Sequence, residues 1–333
     1  MYKKILLASA VATILFTGCS SKQYYSPEQT YSLTSSNMGD NIIHYSRDGA
    51  TLASGTILTK NQSIKLKLEE GFHFINNSKD AAITADQQGN CNIVTAKGTV
   101  ASTKFPKALV AGSLMGKYLV FVLQNNSFGV YDFEKKSTIY TNQAEKAFAI
   151  DTRVANPLRV DNLVVIPTLD GKLTILDLNT LKIAKEMYVS TESSLNNIIY
   201  LSRLNNTLIA ATPNKALAVS NQGKKEIDTA IGEVVVDKDA IYIFAKDGKV
   251  LKLNESLSIT AEKKFKFAHF SIAAVHNDKV VALDKQGYLI VANKNLSKHK
   301  VYGVSSVKGY AFASGGKLYY DGNIIDLNNV SYE

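Results

Sequence analysis

The chain has no tryptophan, two cysteines, five prolines and five histidines in 333 residues. Two cysteines, Cys19 and Cys91, cannot form the disulfide framework of a small secreted domain. Of the histidines, His44, His73, His269, His276 and His299, no two sit one helical turn apart with a glutamate, so no zinc-protease motif is present. His269 and His276 flank the apolar run in "AHFSIAAVHNDK", which puts them at opposite ends of one strand and not on one ion. There is no Gly-x-Ser-x-Gly elbow and no glycine-rich phosphate loop. The several Asp-Gly pairs lack the alternating oxygen ligands of a calcium loop. No catalytic residue, metal or cofactor is therefore expected, and the chain reads as a non-enzyme. The longest apolar run, Ile5 to Phe16, has 12 residues, against the roughly 20 that a membrane-crossing helix needs.

That short run lies in an informative place. Lys3 and Lys4 precede it and Gly18-Cys19 end it, the layout of a bacterial export signal. "FTGC" resembles the lipobox of bacterial lipoproteins, with Phe16 where leucine is preferred. The resemblance implies cleavage after residue 18 and lipidation of Cys19, with enough acyl chain for stable anchoring. Ser20 and Ser21 follow where an aspartate would mark inner-membrane retention, so an outer-membrane protein facing the periplasm is expected. Residues 19–40, "CSSKQYYSPEQTYSLTSSNMGD", show neither helical nor strand period and read as a flexible tether. Removing residues 1–18 removes two lysines and no acids, so the net charge falls from +9 to +7. The excess is spread out, with local clusters at "EKKFKF" and "SKHK". On an exported protein it suits acidic headgroups or cell-wall polymers, and no nucleic-acid partner is expected. Cys91, in the alternating stretch "QGNCNIV", reads as a small buried hydrophobe.

From residue 41 to 333 the chain is a succession of short strands. "NLVVIPTLDGKLTILDLNTLKIAKEM" shows the unit: a strand, a tight turn at Leu169-Asp170-Gly171, a second strand, a turn, and a third strand. Comparable turns fall at Asp48-Gly49, Gln88-Gly89, Asn126-Ser127, Asn214-Lys215, Asp247-Gly248, Gln286-Gly287 and Asp321-Gly322. Their spacing of 33 to 44 residues is that of four-stranded propeller blades. A further apolar run before many of the hairpins, such as "ALVAGSL", "NNIIYLS", "GEVVV" and "SIAAV", suits an innermost strand. The expected fold is all-β, a propeller of eight four-stranded blades, or of seven if the incomplete first and last units share one.

The stretch "VVIPTLDGKLTILDLNTLK" is similar to the repeat of pyrroloquinoline-quinone-type propellers, as is the region 240–255. The closing tryptophan of that repeat is missing throughout, so aliphatic, Tyr and Phe side chains must tie the blades. The Cys-Cys pair of the quinone enzymes is missing too, which argues against the cofactor. A lipoprotein signal followed by this propeller resembles the BamB group of the outer-membrane β-barrel assembly machine. The resemblance implies a non-catalytic scaffold that binds the barrel-inserting partner. By approximate loop correspondence it points to Leu201 and Arg203 in "YLSRLNN" and Asp228 in "EIDTAIGEVVV" as contact residues. The alternatives are a component of another envelope complex (secretion or flagellar), a surface adhesin, or an envelope enzyme acting on a sugar or cell-wall fragment. An enzymatic site would be assembled across a central funnel from residues far apart in the chain.

Overall fold

The computed structural model describes residues 23–61, 63–66, 68–147, 153–191 and 196–333. The expected export signal and Cys19 lie outside the described residues. The described chain forms eight antiparallel blades in a ring, each of four strands, here lettered a to d from the channel outward. Blades 1 to 7 take their own strands in sequence order, between Ile42 and Lys65, His73 and Lys104, Leu109 and Gln143, Leu158 and Tyr188, Tyr200 and Asp228, Ile231 and Lys264, and Phe270 and Gly303. Blade 8 contributes strands a to c between Ala311 and Asp326, and its outer strand, Ser36–Asn37, comes from the other end of the chain. The first and last units thus do cooperate, but blade 1 is complete without blade 8, and the total is eight.

This closure corrects the expected tether. Tyr31–Ser32 pairs in parallel with the outer strand of blade 7, and Ser36–Asn37 pairs with Asn323 and Ile324 of blade 8. Tyr25 is buried between Phe265 and Tyr288, with ring centroids 6.1 and 5.6 Å away. Two-residue strands with exposed side chains leave no apolar alternation in the sequence, because backbone pairing mainly defines them. The propeller therefore begins well before residue 41.

Eight apolar clusters among the described residues fill the spaces between neighbouring blades, one per interface. The residue following strand d does part of the tying expected in the absence of tryptophan. Phe105 leaves blade 2 and stacks 4.5 Å from Phe121 of blade 3; Phe265 leaves blade 6 and meets Phe270 of blade 7 at 6.5 Å. Each is 4% exposed, so its burial contributes about 2 to 3 kcal/mol.

The Asp-Gly signal has a structural cause. Seven of the eight turns join strands b and c, and the segment leaving strand d lies against them. At Gly248, φ is +87° and a Cβ would lie 2.2 Å from the carbonyl oxygen of Phe265, whose own N–H donates to the Gly248 carbonyl at 2.8 Å. Glycine is needed both for its left-handed backbone and for its missing side chain. The exception is Asp48-Gly49, which falls between strands a and b of blade 1; there the b–c turn is at Ser54-Gly55. Gly49 is small because the Phe74 ring would lie 2.2 Å from its Cβ.

The outer edges are all managed against unwanted pairing. The outer strands of blades 2, 3, 4 and 6 carry a register shift, a bulge that breaks the edge. That of blade 5, Gly223–Asp228, is regular but exposes Lys224 and Lys225. The regular edge of blade 7 is covered by Tyr31–Ser32. Blade 1 offers three residues, Ser63–Lys65, and blade 8 two.

Candidate functional site: the central channel and the blade faces

Two segments enter the channel and meet inside it. One is the a–b turn of blade 1, closed by Ser46 N–H donating to the Gly49 carbonyl at 2.7 Å. The other leads into blade 4 through Arg153 and Asn156. Arg47, on the turn, places one guanidinium nitrogen 2.6 Å from Glu233 of blade 6 and donates another to the Val234 carbonyl at 3.1 Å. Arg153 approaches the second Glu233 oxygen at 3.3 Å and donates to the Gly232 carbonyl. The Arg47 guanidinium also lies 4.9 Å from the ring centre of Tyr200 in blade 5. Burial alone would raise the Glu233 carboxyl, but the two guanidiniums outweigh it and hold the pKa below the usual range. Asp48 is likewise held low against its burial by Lys60, 2.7 Å away, and by the Asn156 amide at 2.7 Å. Asn156 in turn accepts from Gly112 N–H of blade 3 at 2.9 Å. The channel is thus braced from blade 1 to blades 3, 4, 5 and 6 by charged groups that mostly face one another.

A cavity of about 560 Å³ remains along the inner strands of blades 6, 7 and 8. One wall carries Val234, Ile272, Ala274 and Ala313, and the other carries the braced cluster. Among the described residues, Glu233 is the one carboxylate lining it. A pair of acids converging in the funnel, which hydrolysis of a sugar would need, is not found among its described lining residues. No three His, Cys, Asp or Glu side chains among the described residues are placed to hold a metal ion.

Sequence spacing missed one close pair. His44 and His73, on the inner strands of blades 1 and 2, stack with ring centroids 3.9 Å apart. Burial, then the facing His73 charge, lowers the His44 pKa to about 4; burial lowers His73 too, opposed by Asp86. They lie one repeat apart, and that was the available signal. His269 and His276 do sit at opposite ends of the inner strand of blade 7. Cys91 is 1% exposed within the apolar cluster between blades 2 and 3, where burial pushes its thiol up to about 12.

Leu201 and Arg203 lie on the inner strand of blade 5 and Asp228 at the end of its outer strand. Leu201 is half-buried in the interface with blade 4. Arg203 is exposed beside the a–b turn, where its Nε donates to the Asn205 carbonyl and its terminal nitrogen to Asn206 Oδ1, both at 2.7 Å. Asp228 pairs with Lys215 at 3.3 Å, next to the b–c turn. In an antiparallel four-strand meander the a–b and b–c turns lie at opposite ends, so Arg203 and Asp228 are on opposite faces of the ring. The structure does not bring them together. Beside Arg203, a shallow cleft of about 200 Å³ is lined by Asn205, Asn206, Lys225 and Glu255.

The fold defines an eight-bladed β-propeller whose channel is braced by its own charged side chains. No family model matches the chain. It is 25% identical over 381 aligned residues to the plasminogen-binding protein PgbB of Helicobacter pylori strain J99, covering 99% of this chain and 70% of PgbB. The same protein of strain 26695 matches with the same identity and coverage. Among solved structures, BamB from Moraxella catarrhalis superposes with a TM-score of 0.60 at 15% identity, over 88% of this chain and 96% of BamB. The C-terminal WD40 domain of Sif2 gives a TM-score of 0.63 at 10% identity, over 88% and 97%. The expected likeness to BamB therefore holds at the level of the fold.

Proposed function

We propose that this chain is a non-catalytic binding protein of the bacterial envelope, held at the outer membrane through lipid on Cys19 and facing the periplasm. Its partner docks on the face that carries the a–b and c–d turns, centred on Arg203. The observation that carries this reading is the state of that arginine: an exposed guanidinium fixed by two short hydrogen bonds beside an open cleft. Arginine held in this way loses little conformational entropy when it meets a partner carboxylate. The guarded blade edges support docking on a face over pairing with an edge. The finer reading is that the partner is the β-barrel assembly machine, supported by the fold likeness to BamB. Asp228 belongs to the opposite face and takes no part in it.

A second reading is favoured by the similarity to PgbB along 99% of the chain: a surface-displayed protein that binds a host protein such as plasminogen. One experiment separates the two. The tagged, lipidated protein is crosslinked mildly in cells and purified in gentle detergent, and its companions are identified, with Arg203→Glu in parallel. Recovery of the barrel-inserting protein by wild type, lost in Arg203→Glu, is expected. Equal recovery in both removes Arg203 from the interface. No envelope companion, with plasminogen retained by intact cells, favours the second reading.

A further inference from the structure

The two basic clusters of the sequence, "EKKFKF" and "SKHK", are separated by about 30 residues in the chain. The fold sets one at the end of the outer strand of blade 6, Lys263 to Phe267, and the other at the start of the outer strand of blade 7, Lys298 to Lys300. The Phe265 and His299 rings meet at 5.3 Å, and the Lys263 charge acts on His299. Tyr25 packs on the same Phe265. Tyr25 is six residues after Cys19, and six residues span at most roughly 21 Å. Whatever holds Cys19 therefore holds this part of the rim close by.

The surface there suits a bilayer interface. Tyr24 is 49% exposed immediately before the buried Tyr25. Phe267 is half-exposed at φ +67°, a left-handed conformation unusual for a large side chain, with the Lys266 ammonium 4.9 Å from its ring centre. Lys264 pairs with Asp247 at 2.7 Å, Lys298 pairs with the Glu333 carboxylate and Lys300 donates to the Glu333 main-chain oxygen, while Lys263 and Lys266 have no side-chain carboxylate partner among the described residues. Aromatic side chains beside unpaired lysines match the boundary between headgroups and acyl chains.

We infer that the rim formed by blades 6 and 7, around Tyr24, Lys263, Lys266 and Phe267, rests on the anionic phospholipid surface of the membrane that holds Cys19. This rests on the lipid anchor proposed above. Tyr25 is seated near the b–c turns, so the opposite face, with Arg203, is directed away from the bilayer and open to a partner.

The test uses the lipidated protein in vesicles of phosphatidylethanolamine with phosphatidylglycerol. An environment-sensitive fluorophore is placed on Lys266→Cys or, on the c–d turn of blade 5, on Gln222→Cys; Cys91 is too buried to label. Brominated lipids should quench the label at 266 several-fold more than that at 222. Adding Lys263→Glu, or omitting phosphatidylglycerol, should at least halve the difference. Equal quenching at both sites overturns the orientation, and a difference unchanged without phosphatidylglycerol overturns the role of charge. Mass analysis of the Cys19 peptide keeps the anchor separate: no acyl mass refutes the anchor and this inference with it, whereas acylation without quenching at 266 refutes the inference alone.

Discussion

Replacing His44 by phenylalanine should make the propeller less sensitive to mild acid. In the folded protein the His44 pKa is lowered from 6.5 to about 4, by burial first and then by His73 across the stack. The unfolded chain takes up that proton near its ordinary pKa, so between the two values the unfolded state binds more protons and is favoured. The sign follows: the penalty is absent above 6.5, grows as pH falls through the window, and is complete below about 4. Integrated over the shift it approaches about 3 kcal/mol, and at pH 5 it is about 2 kcal/mol. His73, lowered by burial against the pull of Asp86, adds in the same direction. Phenylalanine keeps a ring for His73 to stack on, and the buried His44 Nδ1 has no hydrogen bond to lose. The assay is urea unfolding followed by circular dichroism at pH 7.5 and at pH 5. Wild type should lose about 2 kcal/mol more than His44→Phe between these values. Equal losses would refute the buried-pair account and move acid sensitivity to the carboxylates.

Glu233→Gln should cost about 3 to 5 kcal/mol at neutral pH, because it strands Arg47 and Arg153 in the channel without their shared counter-charge. A double change of Arg47→Met with Glu233→Leu should cost much less, and an equal loss in both would show that packing and not charge is at stake. Gly248→Ala should cost about 2 kcal/mol or more, from the left-handed backbone and the collision with the Phe265 carbonyl. A melting temperature unchanged within error would sink that account.

Much of the fold was legible because a propeller repeats its physics. Gly248 recurs in kind at Gly89, Gly171 and Gly287, each lying under the segment that leaves strand d of its own blade. One steric demand, imposed again and again, writes the same letters at the same period. Where a glycine answers a different demand the reading slips, as at Gly49, which yields to the Phe74 ring and not to a turn. The closing strands were hidden for the opposite reason. Ser36–Asn37 and Tyr31–Ser32 bury no side chains and are fixed by backbone bonds to strands almost 300 residues away. The Arg47, Glu233 and Arg153 cluster was illegible because each member comes from a different repeat and none sits in a motif.

The same closure links fold to function. Eight blades can be completed by the last repeat alone, yet here the chain's beginning supplies the final strand and a cover for blade 7. An N-terminal segment used in this way cannot also be a long leash. Tyr25, six residues after Cys19 in the sequence, is wedged between Phe265 and Tyr288. If Cys19 carries the proposed lipid, folding the ring would also fix it against the membrane, since the strap that shields the blade 7 edge would set the anchor point. With the blade edges bulged, charged or covered, the faces are the surfaces left for a partner. Arg203 stands on the face opposite the b–c turns, already held in place by its own turn.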